Sequence, residues 1–598
     1  MQKSSIGNSG TGRSVFKESA EKVRIALARE EDRPLIYRMR HEVYAAELGQ
    51  HQMRQDGSLS DALDEGNIYI VATICGKLAG FISVTPPELG RYSIEKYLRR
   101  DELPIALDDR TYEVRVLTVS PAHRNSGIAS YLMYGAFRWI EEHGGEQIIA
   151  MGRDEVLSIY QSFGAELLGR RIVSGSVSYD LMKTSVSHLQ RFSVENRARI
   201  ERLAERVDFD MGFPFSKKPC CFHGGAFFEA IGVGFDALSR RKEVVNADVL
   251  DAWFPPSPRV LTTFEEHLPW LMRTSPPTQC EGLRGAIALH RGVLAENILP
   301  GAGSSDLIYR AFRHWLNRAS RVLILDPTYG EYEHVLENVI GCRVERLTLS
   351  RRGGYKVNLD ELAARIGEGL DLVVLVNPNN PTGRHIPRFE LERVLRSVPA
   401  ETRVWIDEAY IDYVSSAESL ERFAAQSENV VICKTMSKGY ALSGMRVGYL
   451  CASPRQLAEL ETITPPWVVG LPSQVAAVRA LQDAPYYEEQ YRKTHKQRAE
   501  MEAELRSLGI EEIVPGEANF LMFHLDDGQP SARKVIEAAR DAGVFLRDVA
   551  SMGSRLGERA LRIAIKDRAE NERVLKALRG ILRVHETAGD VEQVEVGS

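Results

Sequence analysis

The chain has 598 residues, more than one hydrophobic core supports, which predicts about two to four domains. Hydrophobic residues at 44% and charged ones at 26% are ordinary globular values, and a net charge of −6 without a dense Lys/Arg run excludes a nucleic-acid footprint. Seven cysteines lack the paired spacing of a zinc site or a disulfide framework, so no metal is expected, and no run of about 18 apolar residues predicts a membrane span.

The start, MQKSSIGNSGTGRSVFKES, is Ser/Gly-rich without an apolar core and predicts a disordered tail over 1–20 rather than a signal peptide. With no span, the expected location is cytoplasmic. Over 21–185 short strands and helices alternate. IYIVATICGKLAGFISV predicts two strands about a turn at Gly76-Lys77, and ASYLMYGAFRWIEEHG has helical period and stops at glycine.

EVRVLTVSPAHRNSGIASYLM, from Glu113 to Met133, is a β-rich run through Val119, a polar turn, and Arg124-x-x-Gly127-x-Ala129 opening a helix. Small residues at 127 and 129 expose backbone amides where a helix N-terminus favours a pyrophosphate. This stretch resembles motif A of the GNAT acyltransferases. The resemblance implies acyl-CoA or acetyl-CoA held by Val119, Arg124, Gly127 and Ala129. YQSFGAELLG is similar to the family's later motif, whose tyrosine, here Tyr160, acts as general acid for the departing thiolate. Amine acylation also needs a base, and Glu113 is the candidate; a packing tyrosine and a solvated glutamate are the plainer readings. IYRMRHEVYAAELGQ resembles the acyl-homoserine lactone synthase branch, which favours a small amine acceptor.

Residues 186–240, charge-rich and then irregular (DFDMGFPFSKKPCCFHGG), read as a helical and irregular connector. Over 241–590 apolar runs such as RVLILDP, LDLVVLVNP, RVWIDEAY, NVVICKT and MRVGYL alternate with amphipathic segments. This predicts an α/β domain with a largely parallel sheet covered on both faces, with its ligand at the carboxyl ends of the strands. EANFLMF, ALRIAI and NERVLKALRGILR predict a small C-terminal α+β subdomain.

The polar residues closing those runs form one set. PGAGSSDLI offers Gly303, Ser304 and Ser305 before a helix, a place for an anion. DPTYGEY offers Tyr329, NPNNPTG Asn380, and WIDEAYIDY Asp407 and Tyr410; SKGYALSGMRVGY carries Lys438, with Thr435 and Ser437 before it and Arg446 after it. A lysine for a Schiff base, a carboxylate for a pyridine nitrogen, a ring to stack and donors for a phosphate are the parts that hold pyridoxal phosphate.

Order and spacing resemble the fold-type I aminotransferases, most closely the histidinol-phosphate aminotransferase family, over about 244–584. The resemblance implies that Lys438 is the Schiff-base lysine and moves the α-proton, and that Asp407 pairs with the pyridine nitrogen. Asn380 and Tyr410 bond the phenolic oxygen, Tyr329 stacks, and Gly303, Ser304, Ser305, Thr435, Ser437 and Arg446 gather the phosphate. The same resemblance implies that Arg562 in LRIAI grips the substrate carboxylate and that the protein is a homodimer. Where the family has a Tyr-Pro pair whose tyrosine reaches the partner's cofactor, this chain has Ser275 in TSPPTQCEGL, which points to another substrate.

The expected protein is a GNAT-like domain fused to an aminotransferase, acting on an amino acid and an acyl thioester and joining transamination to N-acyl transfer. The same cofactor sink also serves decarboxylation, elimination or carbon–carbon bond formation, and the first block is alternatively a non-catalytic binding or dimerisation module.

Overall fold

The computed structural model describes residues 22–592 apart from 125, 154–156, 163, 175–176, 217–223, 233 and 236. The tail expected over 1–20 lies outside them. The chain falls into two compact units, Met1–Lys218 and Pro219–Ser598. Among the described residues no helix is long and apolar enough to cross a membrane.

The first unit is built on an eight-stranded mixed sheet. Val23–Leu27, Ile68–Ile74, Lys77–Thr85 and Thr111–Val119 follow one another antiparallel, and Gln147–Arg153 then lies parallel to Thr111–Val119. The hairpin closes through Cys75 and Gly76, both left-handed, because Ile74 pairs with Lys77. The turn therefore sits one residue before the expected Gly76-Lys77. The parallel strands pair only from Thr111–Val114 against Gln147–Ala150, and Val116 has φ 47°, so the ladder ends at a distorted residue and the strands part. Helix Ile128–Glu142 packs Leu132, Ala136 and Ile140 onto Ile25, Ile70 and Ile82.

Residues 186–211 differ from the connector expected over 186–240. They form helices Val186–Glu195 and Arg197–Ala204 and strand Val207–Asp210, which pairs parallel with Val23–Leu27. Val186, Leu189, Ile200, Val207 and Met211 join the first unit's core. A four-residue edge strand among acidic residues carries too little pattern to be legible in sequence.

In the second unit a seven-stranded sheet runs in the order Ile298–Gly301, Gly448–Cys451, Val430–Thr435, Arg403–Asp407, Leu372–Val376, Arg321–Asp326, Arg343–Thr348. Only Gly448–Cys451 is antiparallel to its neighbours. Leu372–Val376 and Val430–Thr435 are buried along their whole length, which is why they read as continuous apolar runs. The small subdomain has a sheet of Glu512–Ile513, Phe520–His524, Ala560–Ala564 and Arg547–Asp548, covered by helices Ala532–Asp541 and Arg568–Glu592. Strand Val245–Asn246 pairs with Val544–Phe545 and joins that subdomain's core.

Candidate active site

Strand Val430–Thr435 ends at Thr435, whose hydroxyl accepts the Ser437 N–H at 3.2 Å and starts the single turn Met436–Gly439. Lys438 stands in that turn. Its carbonyl accepts the Tyr413 hydroxyl at 3.0 Å, and the Gly439 carbonyl accepts that of Tyr491 at 3.1 Å, so the turn is held from two sides. Burial pulls the Lys438 ammonium below its ordinary range, and Asp251 opposes this with an oxygen 3.3 Å from Nζ. A partly buried lysine of this kind reaches its nucleophilic form at lower pH than a surface one.

Asp407 closes the adjacent strand. Its Oδ2 accepts the Tyr332 hydroxyl at 2.7 Å and its Oδ1 the Ala409 N–H at 3.0 Å, while Trp405 Nε1 donates to the Tyr332 oxygen at 2.9 Å. Burial pushes the Asp407 carboxyl up to about 6, against the Tyr332 bond that lowers it. The Tyr329 ring meets Tyr332 edge-on, with centroids 5.9 Å apart.

The residues expected to gather a phosphate lie across the neighbouring strand ends. Gly301 and Thr435 both pair with Gly448, which brings the start of helix Ser304–Trp315 beside the lysine turn. Thr435 donates to Ser437 Oγ at 2.9 Å, and Arg446 Nη1 reaches the same oxygen at 3.4 Å and the Ser443 carbonyl at 3.2 Å. Gly303 has φ 91°, and a Cβ there would lie 2.6 Å from Arg446 Nη2. Ser304 is the first residue of the helix, and the Ser305 hydroxyl donates to Glu331 Oε2 at 3.0 Å.

Arg562 Nη1 donates to Asn380 Oδ1 at 2.7 Å and Nη2 to the Asp248 carbonyl at 2.8 Å; its buried Nε has no hydrogen-bond partner among the described residues. Burial beside Arg547 pulls its guanidinium down to about 10, still charged at neutral pH. Tyr410 packs edge-on against Phe520, over which Arg562 also lies. The set fits pyridoxal phosphate. A buried carboxylate that needs a cation, a hydroxyl and guanidinium cradle a side chain at 303 would crowd, and an arginine with an unmet N–H are what its pyridine, its phosphate and an amino-acid carboxylate require.

Sequence reasoning missed Asp251, Tyr332 as the partner of Asp407, Arg547 in its 2.7 Å ion pair with Asp248, and Lys566, whose Nζ lies 3.4 Å from the Asp251 carbonyl. It also missed a buried charge cluster around Lys434, near the end of the strand that leads into the lysine turn. Arg291 meets Asp412 at 2.9 Å and Glu421 at 3.4 Å, and Lys434 meets Asp412 at 3.3 Å and Glu421 at 3.7 Å.

In the first unit Arg124, exposed, makes a two-pronged pair with Glu47 at 2.7 and 2.6 Å. Gly127, with φ 88°, precedes helix Ile128–Glu142, Ala129 lies in its first turn, and Val119 lies beyond the point where the parallel strands part. Tyr160 lines an apolar cavity of about 60 Å³ with Val114, Ile148, Ala150 and Met182, and burial raises its phenol so that it stays protonated. Glu113 is corrected. It is 1% exposed, and its oxygens accept Ser93 N–H and hydroxyl, each at 2.6 Å, and the Ile94 N–H at 3.2 Å. Three donors occupy the carboxylate that a general base must present to an amine, and it anchors the 93–94 turn instead.

Residues 256–578, more than half the chain, match the family described as aminotransferase class I and II, and residues 33–165 match the acetyltransferase (GNAT) family. The histidinol-phosphate aminotransferase of Moorella thermoacetica is 34% identical over 310 residues, 51% of this chain and 78% of that protein. The protein of the same name from Staphylococcus aureus (strain MRSA252) is 31% identical over 329 residues, 54% of this chain and 87% of its own. Two solved histidinol-phosphate aminotransferases share the fold at 24% identity. That of Sinorhizobium meliloti, in complex with pyridoxal-5'-phosphate, has a TM-score of 0.54 over 62% of this chain and 96% of its own. That of Clostridium acetobutylicum has a TM-score of 0.52 over 56% and 98%.

Proposed function

The chain belongs to the aminotransferase class I and II family and carries a GNAT domain ahead of it, and on that premise we propose that its second unit holds pyridoxal 5'-phosphate on Lys438 and transfers the amino group of an amino acid. The observation that carries the reading is that Lys438, Asp407, Asn380 and the Thr435, Ser437 and Arg446 set stand together at the carboxyl ends of neighbouring strands. When bound, the cofactor supplies an electron sink for charge developing at the substrate α-carbon.

The chain's own residues do the rest. Lys438 Nζ accepts and returns the α-proton. Asp407 keeps the pyridine nitrogen protonated, Asn380 and Tyr410 donate to the phenolic oxygen, and Tyr329 stacks on the ring. Ser304, Ser305, Thr435, Ser437 and Arg446 bind the phosphate, and Arg562 binds the substrate carboxylate. Ser275, exposed in the 274–280 loop, leaves a serine where a partner-reaching tyrosine is expected, which favours a donor other than histidinol phosphate. Exposed Trp270, Met272, Leu289 and Trp467 support a homodimer. In the first unit, acyl-CoA would be held where the parallel strands part, and Tyr160 would give its proton to the departing thiolate and regain one from the nitrogen of the small amine as the amide forms.

The test is an absorbance spectrum of the cofactor-loaded protein and of Lys438→Ala, before and after a panel of amino acids. The expected result is a visible band that the variant lacks and that one amino acid converts to the aminated cofactor. A band that survives Lys438→Ala overturns the lysine's role, and release of carbon dioxide without amination replaces transamination by decarboxylation.

A further inference from the structure

We propose that Asp251 is a positioning residue for Lys438: its carboxylate holds the proton on the lysine Nζ and so sets the pH at which that nitrogen becomes a free base. The inference rests on the reading of Lys438 given above and adds a residue outside the strand-end set.

The carboxylate is brought to the lysine by a pinned segment. Val245–Asn246 is hydrogen-bonded to Val544–Phe545, Asn246 Oδ1 accepts the Val249 N–H at 3.1 Å, and the Leu250 carbonyl accepts Asn519 Nδ2 at 3.2 Å. At the end of this run Asp251 Oδ1 accepts the Ser443 hydroxyl at 2.6 Å and lies 3.3 Å from Lys438 Nζ. Lys566, almost fully buried, donates to the Asp251 carbonyl at 3.4 Å.

The charges around Nζ make this oxygen decisive. Arg562 and Arg446 act on Lys438 as cations, Lys566 adds a third, and the neutral phenol of Tyr410 lies close to Asp251. All three cations and the burial itself drive Nζ towards the neutral amine. Asp251 is the carboxylate that opposes them, and an opposite charge at this range moves an ammonium by about 1–3 pH units. A nitrogen that must both take and return a proton needs an affinity near the working pH, and the 3.3 Å carboxylate works against burial in setting it.

The isosteric Asp251→Asn variant removes the charge and keeps the shape. Two titrations read the effect. One follows the visible band of the cofactor-loaded protein against pH. The other follows labelling of Lys438 by an amine-reactive acylating reagent in the cofactor-free protein, quantified by peptide mass spectrometry. Both midpoints are expected to fall by about one pH unit, a tenfold change in proton affinity, with Asp251→Glu returning them towards the wild-type values. Ser443→Ala, which removes the 2.6 Å brace and leaves the charge, is expected to shift them less. Midpoints in Asp251→Asn that match wild type overturn the proposal. If that variant does not fold, Asp251→Ser, which also removes the charge, decides, and unshifted midpoints there overturn the proposal. Absence of any Lys438-dependent band sinks the cofactor reading instead, while the labelling midpoint still tests Asp251.

Discussion

At the scale of single residues, Asp407 shows what burial costs a carboxylate at the end of a core strand. Its folded pKa of about 6 lies above the unfolded carboxylate value, so its contribution to stability is fully present below the unfolded pKa and is lost as pH rises through 6. Asp407→Asn, neutral at every pH, escapes that loss; its one amide oxygen can accept the Tyr332 hydroxyl, but its NH2 then faces the Ala409 N–H, at a cost of about 1 kcal/mol. Cofactor-free Asp407→Asn is therefore expected to exceed wild type by about 2 kcal/mol at pH 8 and to fall about 1 kcal/mol below it near pH 4. Denaturant unfolding at both pH values checks this, and equal stability at pH 8 refutes it. Asp407 was legible because it closes a continuous apolar strand. Its partner Tyr332 was not, since nothing in the order of residues says which of two nearby tyrosines turns inward. Glu113 was misread for a related reason: a strand's period tells which residues share a face, and not whether a turn folds over that face.

Among the elements, the lysine turn, the antiparallel strand Gly448–Cys451 and the start of helix Ser304–Trp315 meet at two glycines. A Cβ at Gly448 would lie 2.8 Å from the Lys434 carbonyl, and one at Gly303 would press on the Arg446 guanidinium. Gly303→Ala is also strained by its positive φ, at roughly 1–2 kcal/mol. The expected outcome is at least a tenfold weaker cofactor affinity in an absorbance titration, with the lysine-dependent band still reached at saturation; unchanged affinity removes Gly303 from the cradle. These strand ends were readable because each apolar run stops at a polar cluster. The 247–257 segment has no such period, which is why Asp251 emerged only when the chain was folded.

For the molecule as a whole, each unit has its own buried core, the first around Ile25, Ile70 and Leu132 and the second around Leu323, Leu375 and Ile432, with another in the small subdomain. A fragment of Pro219–Ser598 is therefore expected to fold alone, show the visible band and gain about 2.7 kcal/mol when cofactor is present at a hundredfold excess over its Kd. Calorimetry with and without cofactor checks this, and a fragment that neither folds nor binds refutes it. Two domain types were legible from motifs, but the edge of the first was not, because Val207–Asp210 becomes a strand only beside Val23–Leu27. One more consequence lies in how the second unit is strung together. Asp251 follows a strand tied to the small subdomain, whereas Lys438 follows a strand of the large sheet. The 3.3 Å pair between them is therefore a charged stitch at the join of the two, tying the segment that leaves the small subdomain's sheet to the turn that leaves the large one.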